Sequence, residues 1–425
     1  MRKKILLLGY MRKNLGDDLF IAILLNRYKN IDFIVRTNDK KDLQPFKMYK
    51  NLKVVPQEGS LSEFNMDGYD ACVYIGGSVM MELKRGLMLQ QNINAFIENS
   101  KKPFFYISSN FGPYKTQEFY DECAKTFKMI DGVTFRDEYS YNEFKQYDSV
   151  GYAPDLVFGL NMKKKKTIKD SIGISLIDLS LPARGEKFNS LDSSYCNMLK
   201  NNISDFIKQG KTIYLFSYCD YEGDCNTIEK VLKLLSEEDK KHVKVVKYTG
   251  KPGNLYEFIR KYSSMEKMIC TRFHGLVLSL VFRQELMVIS YSKKLEKMLE
   301  KVPEEFKYIE IDENIGELKI KLDWFKAIKE ENLEPLSKNS VNQFKKFEEK
   351  MGLKIKQKGF ECDIYCIRLD ECGYQGGSKG DGHTLNYITL ITMPDTQKTI
   401  TMFPSDEIKL EPVRTVKEKE IDFER

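Results

Sequence analysis

Arg272 and His274 stand two residues apart in the run Met-Ile-Cys-Thr-Arg-Phe-His-Gly-Leu-Val-Leu-Ser-Leu, from Met268 to Leu280. A guanidinium is a permanent cation whose fork of N–H donors matches phosphate or carboxylate, and an imidazole exchanges a proton near neutral pH. The apolar residues Met268, Ile269 and Cys270 stop at Thr271, and an apolar pattern of helical character starts near Gly275. A strand that gives way to a helix leaves amide N–H groups unpaired at the corner, where the helix dipole adds positive partial charge. Such a corner takes anions. In an extended or turning segment residues i and i+2 project to one side, so the pair suits holding an anion and moving a proton beside it. The bland alternative is a surface arginine at a helix start and a hydrogen-bonded core histidine. Of the other two histidines, His242 lies among Asp239, Lys240 and Lys241 and His383 in a glycine-rich turn. His274 is the best placed to do chemistry.

The elements that must position this pair follow from hydrophobic patterning. Lys4 to Tyr10 reads as a buried strand and Asp17 to Tyr28 as an amphipathic helix, joined by a loop that holds Asn14 and Gly16. That loop lies at the carboxyl end of the strand, where α/β sheets bind ligands. Gly9 and Gly16 do not make a G-x-G-x-x-G fingerprint, and Asp17 with Asp18 suits capping of the helix dipole. Tyr69 to Ile75 is a strand ending in Gly76-Gly77-Ser78, where missing side chains permit close backbone approach. Further strands at 32–36, 52–55, 104–109, 133–135 and 150–158 alternate with helices; the one at 133–135 ends in Arg136-Asp137, and the last carries Ala153-Pro154-Asp155-Leu156. After the run Lys163 to Lys166 the pattern restarts, with strands at 172–177, 212–218, 243–248, 267–270, 286–291 and 308–311. Alternation of this kind predicts mostly parallel sheets covered on both faces.

The expected fold class is therefore α/β, two Rossmann-like parallel-sheet domains in a GT-B-like arrangement, plus a small C-terminal β-rich module. The boundaries are 1–162 for the N-terminal domain and 167–330 for the domain carrying Arg272 and His274. Helices over 331–353 trail away, a β-rich module covers 354–413, and 414–425 is a charged tail. In the module, 362–368 and 385–393 alternate in β fashion around a turn with five glycines, and Thr399 to Phe403 completes a hairpin.

Composition narrows the function classes. The 68 basic and 62 acidic residues are mixed throughout, leaving a net charge of +6 without the concentrated basic face of a nucleic-acid binder. The run Lys163 to Lys166 reads as a solvated linker, with a weak pull toward anionic lipid as the alternative. The apolar part of the N-terminus is too short for a signal peptide and runs into Tyr10, Arg12 and Lys13. No run reaches the roughly 18 apolar residues that span a bilayer. A cytoplasmic protein is expected, with peripheral contact at the inner face of the membrane left open. Nine scattered cysteines fit reduced thiols in a cytosol. Cys362, Cys366, Cys372 and His383 form a loose group without the paired C-x2-C knuckles of zinc modules, so alternating strand positions are preferred over a metal.

With these pieces in order, the chain resembles the polysaccharide pyruvyl transferase family over about residues 4 to 300. The resemblance rests on Gly9-Tyr10 with Asn14-Leu15-Gly16-Asp17, the strand ending in Gly76-Gly77, and Arg136-Asp137 with Ser140. It continues through Ala153-Pro154-Asp155-Leu156, Arg272-Phe273-His274-Gly275, and Tyr291 with Lys294. Ser78 replaces a frequent third glycine, and Ser292-Lys293 a common Asp-Pro.

The resemblance implies transfer of a pyruvyl group from phosphoenolpyruvate to a sugar of a cell-surface polysaccharide or its precursor, as a ketal. It implies Arg272 and His274 as the catalytic pair, and Gly9, Asn14, Gly16, Asp17, Gly76, Gly77, Arg136, Asp155 and Lys294 as substrate-binding candidates. For Arg136-Asp137 an ion pair between strand end and helix is the competing reading, for Asp155 a helix cap, and for Lys294 a solvent-facing helix start. No metal and no cofactor are expected, since the positive charge comes from arginine and a helix end. The partners expected are phosphoenolpyruvate and a glycan or lipid-linked sugar, with no nucleic acid. A nucleotide-sugar-dependent GT-B glycosyltransferase, or a non-catalytic glycan- or protein-binding protein, are the rival readings, because fold does not fix function.

Overall fold

The computed structural model describes residues 2–353 and the short strands at 360–361, 365–367, 388–392 and 399–402. Seven parallel strands form the N-terminal sheet. Their spatial order is Leu52–Val55, Ile31–Arg36, Lys3–Gly9, Ala71–Ile75, Phe104–Ser109, Gly132–Phe135 and Val150–Tyr152. The second sheet has six, in the order Val243–Lys247, Thr212–Ser217, Ile168–Ser175, Met265–Cys270, Glu285–Ser290 and Tyr308–Glu310. Every pairing within these two sheets is parallel. The expected pair of Rossmann-like domains is therefore present; most strand positions agree with the sequence reading to within a few residues, but the strand expected over 150–158 ends at Tyr152 and Leu156–Gly159 forms a tight helical turn capped by Asp155.

Both sheets reverse direction at one place, and this positions everything that follows. In the first, chain order runs outward to both sides from between Lys3–Gly9 and Ala71–Ile75. In the second it does so between Ile168–Ser175 and Met265–Cys270. Carboxyl ends at such switch points leave a crevice that the connections cannot fill. The loops that emerge there carry Gly9 to Asp17 and Gly76-Gly77 in one domain, and Ser175 and Thr271 to His274 in the other.

Each domain buries its own apolar layer. In the first, Leu6, Cys72, Phe104, Tyr106 and Phe135 cluster with Phe96 of the helix Gly86–Ser100 and Phe127 of the helix Gln117–Met129. In the second, Ile172, Ile174, Ile213, Leu215 and Ile269 meet Tyr195, Leu199 and Phe206 of the helix Glu186–Lys208. Strands buried on both faces read as continuous Val, Ile and Leu runs, which is why the sequence located them.

The helices expected to trail away after residue 330 instead return to the N-terminal domain. Phe344 and Phe347 pack edge-on against Tyr28, and Glu348 accepts from Arg27 Nη2 at 2.6 Å. The Gln343 side chain accepts from Ser108 N at 2.9 Å and donates to Ala153 O at 2.7 Å. Buried backbone groups left open at these strand ends need partners, and Gln343 supplies both a donor and an acceptor. In the C-terminal part, Tyr365–Ile367, Ile388–Thr392 and Thr399–Met402 form an antiparallel sheet in chain order. Cys362, Cys372, His383 and the tail 414–425 lie outside the described residues.

Candidate functional site

The two switch-point crevices meet. Leu15 N donates to Tyr218 O at 3.1 Å, and Asn14 Nδ2 to Glu222 Oε1 at 2.8 Å. Tyr248 OH donates to the buried Asp18 Oδ2 at 2.5 Å. Lys294 Nζ reaches Ser78 Oγ at 2.7 Å, and Lys301 Nζ reaches Tyr152 OH at 2.8 Å. Each bond joins the first domain to the second.

Arg272 turns away from any open space. Its guanidinium pairs with Glu222 and with Asp224, which is fully buried, and Nε donates to Leu176 O at 3.2 Å. Asp224 is fixed in turn by the Tyr218 and Cys219 amides at 2.7 and 3.1 Å. The amides of Thr271 and Arg272, open at the strand-to-helix corner, are taken by Ser175 Oγ at 2.8 and 3.2 Å. The anion site expected there from backbone amides alone is thus already partly occupied by a hydroxyl. Neither Glu222 nor Asp224 was singled out from the sequence. They belong to the loop Tyr218 to Asp224, whose acidic residues carry no spacing relative to position 272.

His274 is the second residue of the helix Phe273–Val281 and lies across the interface against Gly16 of the first domain. A Cβ on Gly16 would fall 1.8 Å from His274 Nδ1, so only glycine permits this approach. The ring meets Phe20 and Phe273 edge-on at 5.1 and 5.4 Å, and Nε2 is buried without a hydrogen-bond partner. Burial lowers its pKa to about 4; Asp155 and Glu222 oppose that shift while Arg136 and Arg272 add to it. The imidazole is neutral at pH 7.

Asp17 sits on the same junction. Its carboxyl is pushed up to about 7 by burial, with Glu222 and Asp155 adding to the shift and Arg136 and the Gly77 amide opposing it. Arg136 donates to Asp155 Oδ2 at 2.8 Å and Asn110 Oδ1 at 2.9 Å. Its guanidinium lies 4.3 Å over the Phe273 ring, and a Cβ on Gly77 would fall 2.2 Å from its Nη2. Asp155 also caps its own turn through Val157 N at 2.9 Å, so it is both a cap and an ion-pair partner. Asp137 pairs with neither; it caps the helix Glu138–Phe144 through Ser140 N at 2.9 Å. Gly9 and Gly76 lie at the strand ends, Gly9 in register with Ile75 and Gly76 N donating to Ile107 O at 3.3 Å. Asn14 caps the helix Leu15–Arg27 by accepting from Gly16 N at 3.0 Å.

Beside this cluster opens a cavity of about 430 Å³, walled by both domains. Phe111, Pro113, Tyr114, Tyr139 and Phe273 give it apolar faces. Among the described residues lining it, Arg136, Lys293, Lys294, Lys297 and Lys301 face one carboxylate, Asp137. Burial lowers the Lys294 pKa to about 8, Arg136 lowers it further, and Asp137, Asp17 and Glu222 counter the shift. Buried beside the Arg136 guanidinium, the Lys294 and Lys301 ammonium groups carry their charge at a cost until an anion arrives. Lys297 and Lys301 were missed in the sequence, where only Lys294 was singled out, with a solvent-facing helix start as its competing reading. The stretch Asn110-Phe-Gly-Pro after a strand was the available signal for the opposite wall. Lys294 is not solvent-facing, since its ammonium group reaches across to Ser78.

A family model described as polysaccharide pyruvyl transferase matches residues 12–293. No curated protein sequence matches significantly. Among solved structures, UDP-GlcNAc 2-epimerase from Neisseria meningitidis bound to UDP-GlcNAc aligns with a TM-score of 0.51 at 12% identity, covering 83% of this chain and 100% of that one. A Staphylococcus aureus MnaA–UDP structure gives 0.50 at 10% identity, covering 84% and 99%. UDP-GlcNAc 2-epimerase from Methanocaldococcus jannaschii gives 0.50 at 11%, covering 82% and 99%. Such low identities establish the two-domain, GT-B-like fold and carry nothing on substrate. No helix among the described residues is long and apolar enough to cross a membrane.

Proposed function

Because the chain belongs to the polysaccharide pyruvyl transferase family, we propose that it moves the pyruvyl group of phosphoenolpyruvate onto two hydroxyls of a sugar, as a ketal. The observation that carries this reading is the cationic cavity between the domains, whose Phe273 wall adjoins His274 and whose Arg136 acts electrostatically on both Asp17 and His274. Phosphoenolpyruvate presents a phosphate and a carboxylate on three carbons. Lys294, Lys301 and the remaining N–H groups of Arg136 hold those anions, each charged hydrogen bond contributing about 1.5–3 kcal/mol.

The reaction balances without an outside reagent. A proton adds to the methylene carbon of the donor, the double-bond pair forming the new C–H bond of a methyl group. Two sugar oxygens bond to the central carbon and the C–O bond to phosphate breaks, its electron pair leaving with phosphate. One hydroxyl proton replaces the one given to carbon, and the other leaves on phosphate. Asp17, protonated in part at pH 7, is the donor to carbon, and neutral His274 accepts the hydroxyl proton and passes it to the departing phosphate. Help of this kind is worth roughly 10²–10⁴-fold. Arg272 acts through others, locking Glu222 against Asn14 and holding the corner that presents His274.

Phosphoenolpyruvate is expected to raise the thermal midpoint, and UDP-sugars to leave it unchanged. Glycan acceptors incubated with enzyme and donor are expected to gain roughly 70 Da, the net mass of the pyruvyl unit once both hydroxyl hydrogens have left. Protection by UDP-sugars alone, or an acceptor gaining a hexose, would replace this reading with glycosyl transfer.

A further inference from the structure

The segment from Leu83 to Leu89 exposes what a folded domain normally hides. Leu83, Met88 and Leu89 are 63%, 55% and 57% exposed, the three most exposed large aliphatic side chains among the described residues. They are held outward by the backbone. Gly86 N bonds to Leu83 O at 2.7 Å and Leu89 N to Arg85 O at 3.0 Å. A side chain on Gly86 would fall 2.6 Å from Met81 O. The inner face of the helix Gly86–Ser100 is already filled by Ile93, Phe96 and Ile97, and Gln90 is tied inward to Thr126 Oγ1 at 2.6 Å. Met88 and Leu89 thus lie outside the stripe that packs the core. Scattered apolar side chains on a surface are ordinary, but three within seven residues form a patch that asks for a partner.

The charge around the patch identifies the partner's chemistry. Lys84 and Arg85 are exposed between the apolar residues, and Lys115 is exposed nearby on the adjoining loop. The nearest acid in sequence, Glu82, is taken up by the Lys115 and Thr116 amides and by Thr116 Oγ1. Aliphatic side chains flanked by Lys and Arg match the boundary between acyl chains and anionic headgroups. We propose that Leu83, Met88 and Leu89, with Lys84 and Arg85, dock the protein on an anionic lipid bilayer. The patch is continuous with the cavity wall. Gly112 N bonds to Met80 O at 2.7 Å and Glu82 N to Pro113 O at 2.9 Å, and Gly112, Pro113 and Tyr114 line the cavity. A bilayer under the patch brings the cavity mouth to headgroup level, which suits a sugar acceptor carried on a lipid. That last step rests on the function proposed above; the docking does not.

The test is flotation of the full-length protein with phosphatidylcholine vesicles, with and without phosphatidylglycerol. Wild type floats with the anionic vesicles. The triple variant L83E/M88E/L89E loses binding by about tenfold or more, and K84E/R85E loses the preference for phosphatidylglycerol. Thermal midpoint and protection by phosphoenolpyruvate stay unchanged in both, because the altered side chains face solvent. Wild type that does not float, or a triple variant that floats like wild type, overturns the proposal. So does a patch whose substitution changes only the sedimentation of the protein with itself. Failure of phosphoenolpyruvate to protect wild type would overturn the proposed reaction and leave the docking result standing.

Discussion

The guanidinium of Arg272 is paired with Asp224, a carboxylate fully shielded from solvent and held by two backbone amides. Breaking such a pair from one side strands the other charge, at a cost of about 3–5 kcal/mol. Arg272→Ala is therefore expected to lower unfolding stability by that order in urea titrations. The doubly substituted Arg272→Met, Asp224→Leu protein is expected to recover much of it. A variant of normal stability that no longer binds phosphoenolpyruvate would make Arg272 a direct ligand of the donor.

Asp17 loses its proton near pH 7 and begins the alkaline decline; the upper limb, near 8, is assigned to Lys294. Its pKa, lowered to about 8, means that the ammonium group is lost as pH rises past 8 in the free enzyme. The value of kcat/KM for phosphoenolpyruvate is expected to fall there, since that ratio reports the free enzyme. Lys294→Arg moves the limb upward and keeps the charge. Lys294→Met lowers kcat/KM by roughly 10- to 100-fold at neutral pH. An alkaline limb unmoved in Lys294→Arg would assign it to another group.

Asp17 and His274 give stability opposite slopes in pH. The folded Asp17 carboxyl titrates near 7 against an ordinary 3.8, so stability from this group is present below about 3.8 and is lost as pH rises toward 7. His274 is depressed from 6.5 to about 4, so its contribution is present above 6.5 and is lost as pH falls toward 4. Asp17→Asn is expected to remove only the first slope, gaining up to roughly 4 kcal/mol relative to wild type between pH 4 and pH 8. Thermal midpoints across that range check it. The same variant is expected to lose most pyruvyl transfer while still being protected by the donor.

Two glycines test how closely the domains fit. Gly16→Ala puts a methyl carbon on the His274 ring, and Gly77→Ala puts one on the Arg136 guanidinium. Gly16→Ala is expected to reduce kcat by roughly 10²-fold or more with little change in KM, because the imidazole must move off its position. Gly77→Ala is expected to raise the KM for phosphoenolpyruvate instead. The two effects separate in steady-state kinetics, and equal effects on both constants in both variants would show a common loosening of the interface.

What the sequence determined alone was local. Strands buried on both faces are written as unbroken runs of Ile, Leu, Val and Phe, and the loops that follow them, at Gly9, Gly76 and Thr271, mark where strands end. That sufficed for two parallel sheets, for the family, and for the loops that meet at the junction. Which groups those loops would present to one another was decided by tertiary structure. Arg272 read as an open anion site because the 48-residue reach back to Asp224 leaves no mark in spacing. Lys297 and Lys301 drew no notice in the sequence because a helix in isolation does not show which wall it will face. The return of Gln343 and Phe344 to the first domain was equally unreadable, since a polar and an aromatic side chain are chosen there by open backbone groups and ring edges 190 to 316 residues away. Periodicity is a property of neighbours along the chain; charge pairing and cavity walls are properties of neighbours in space.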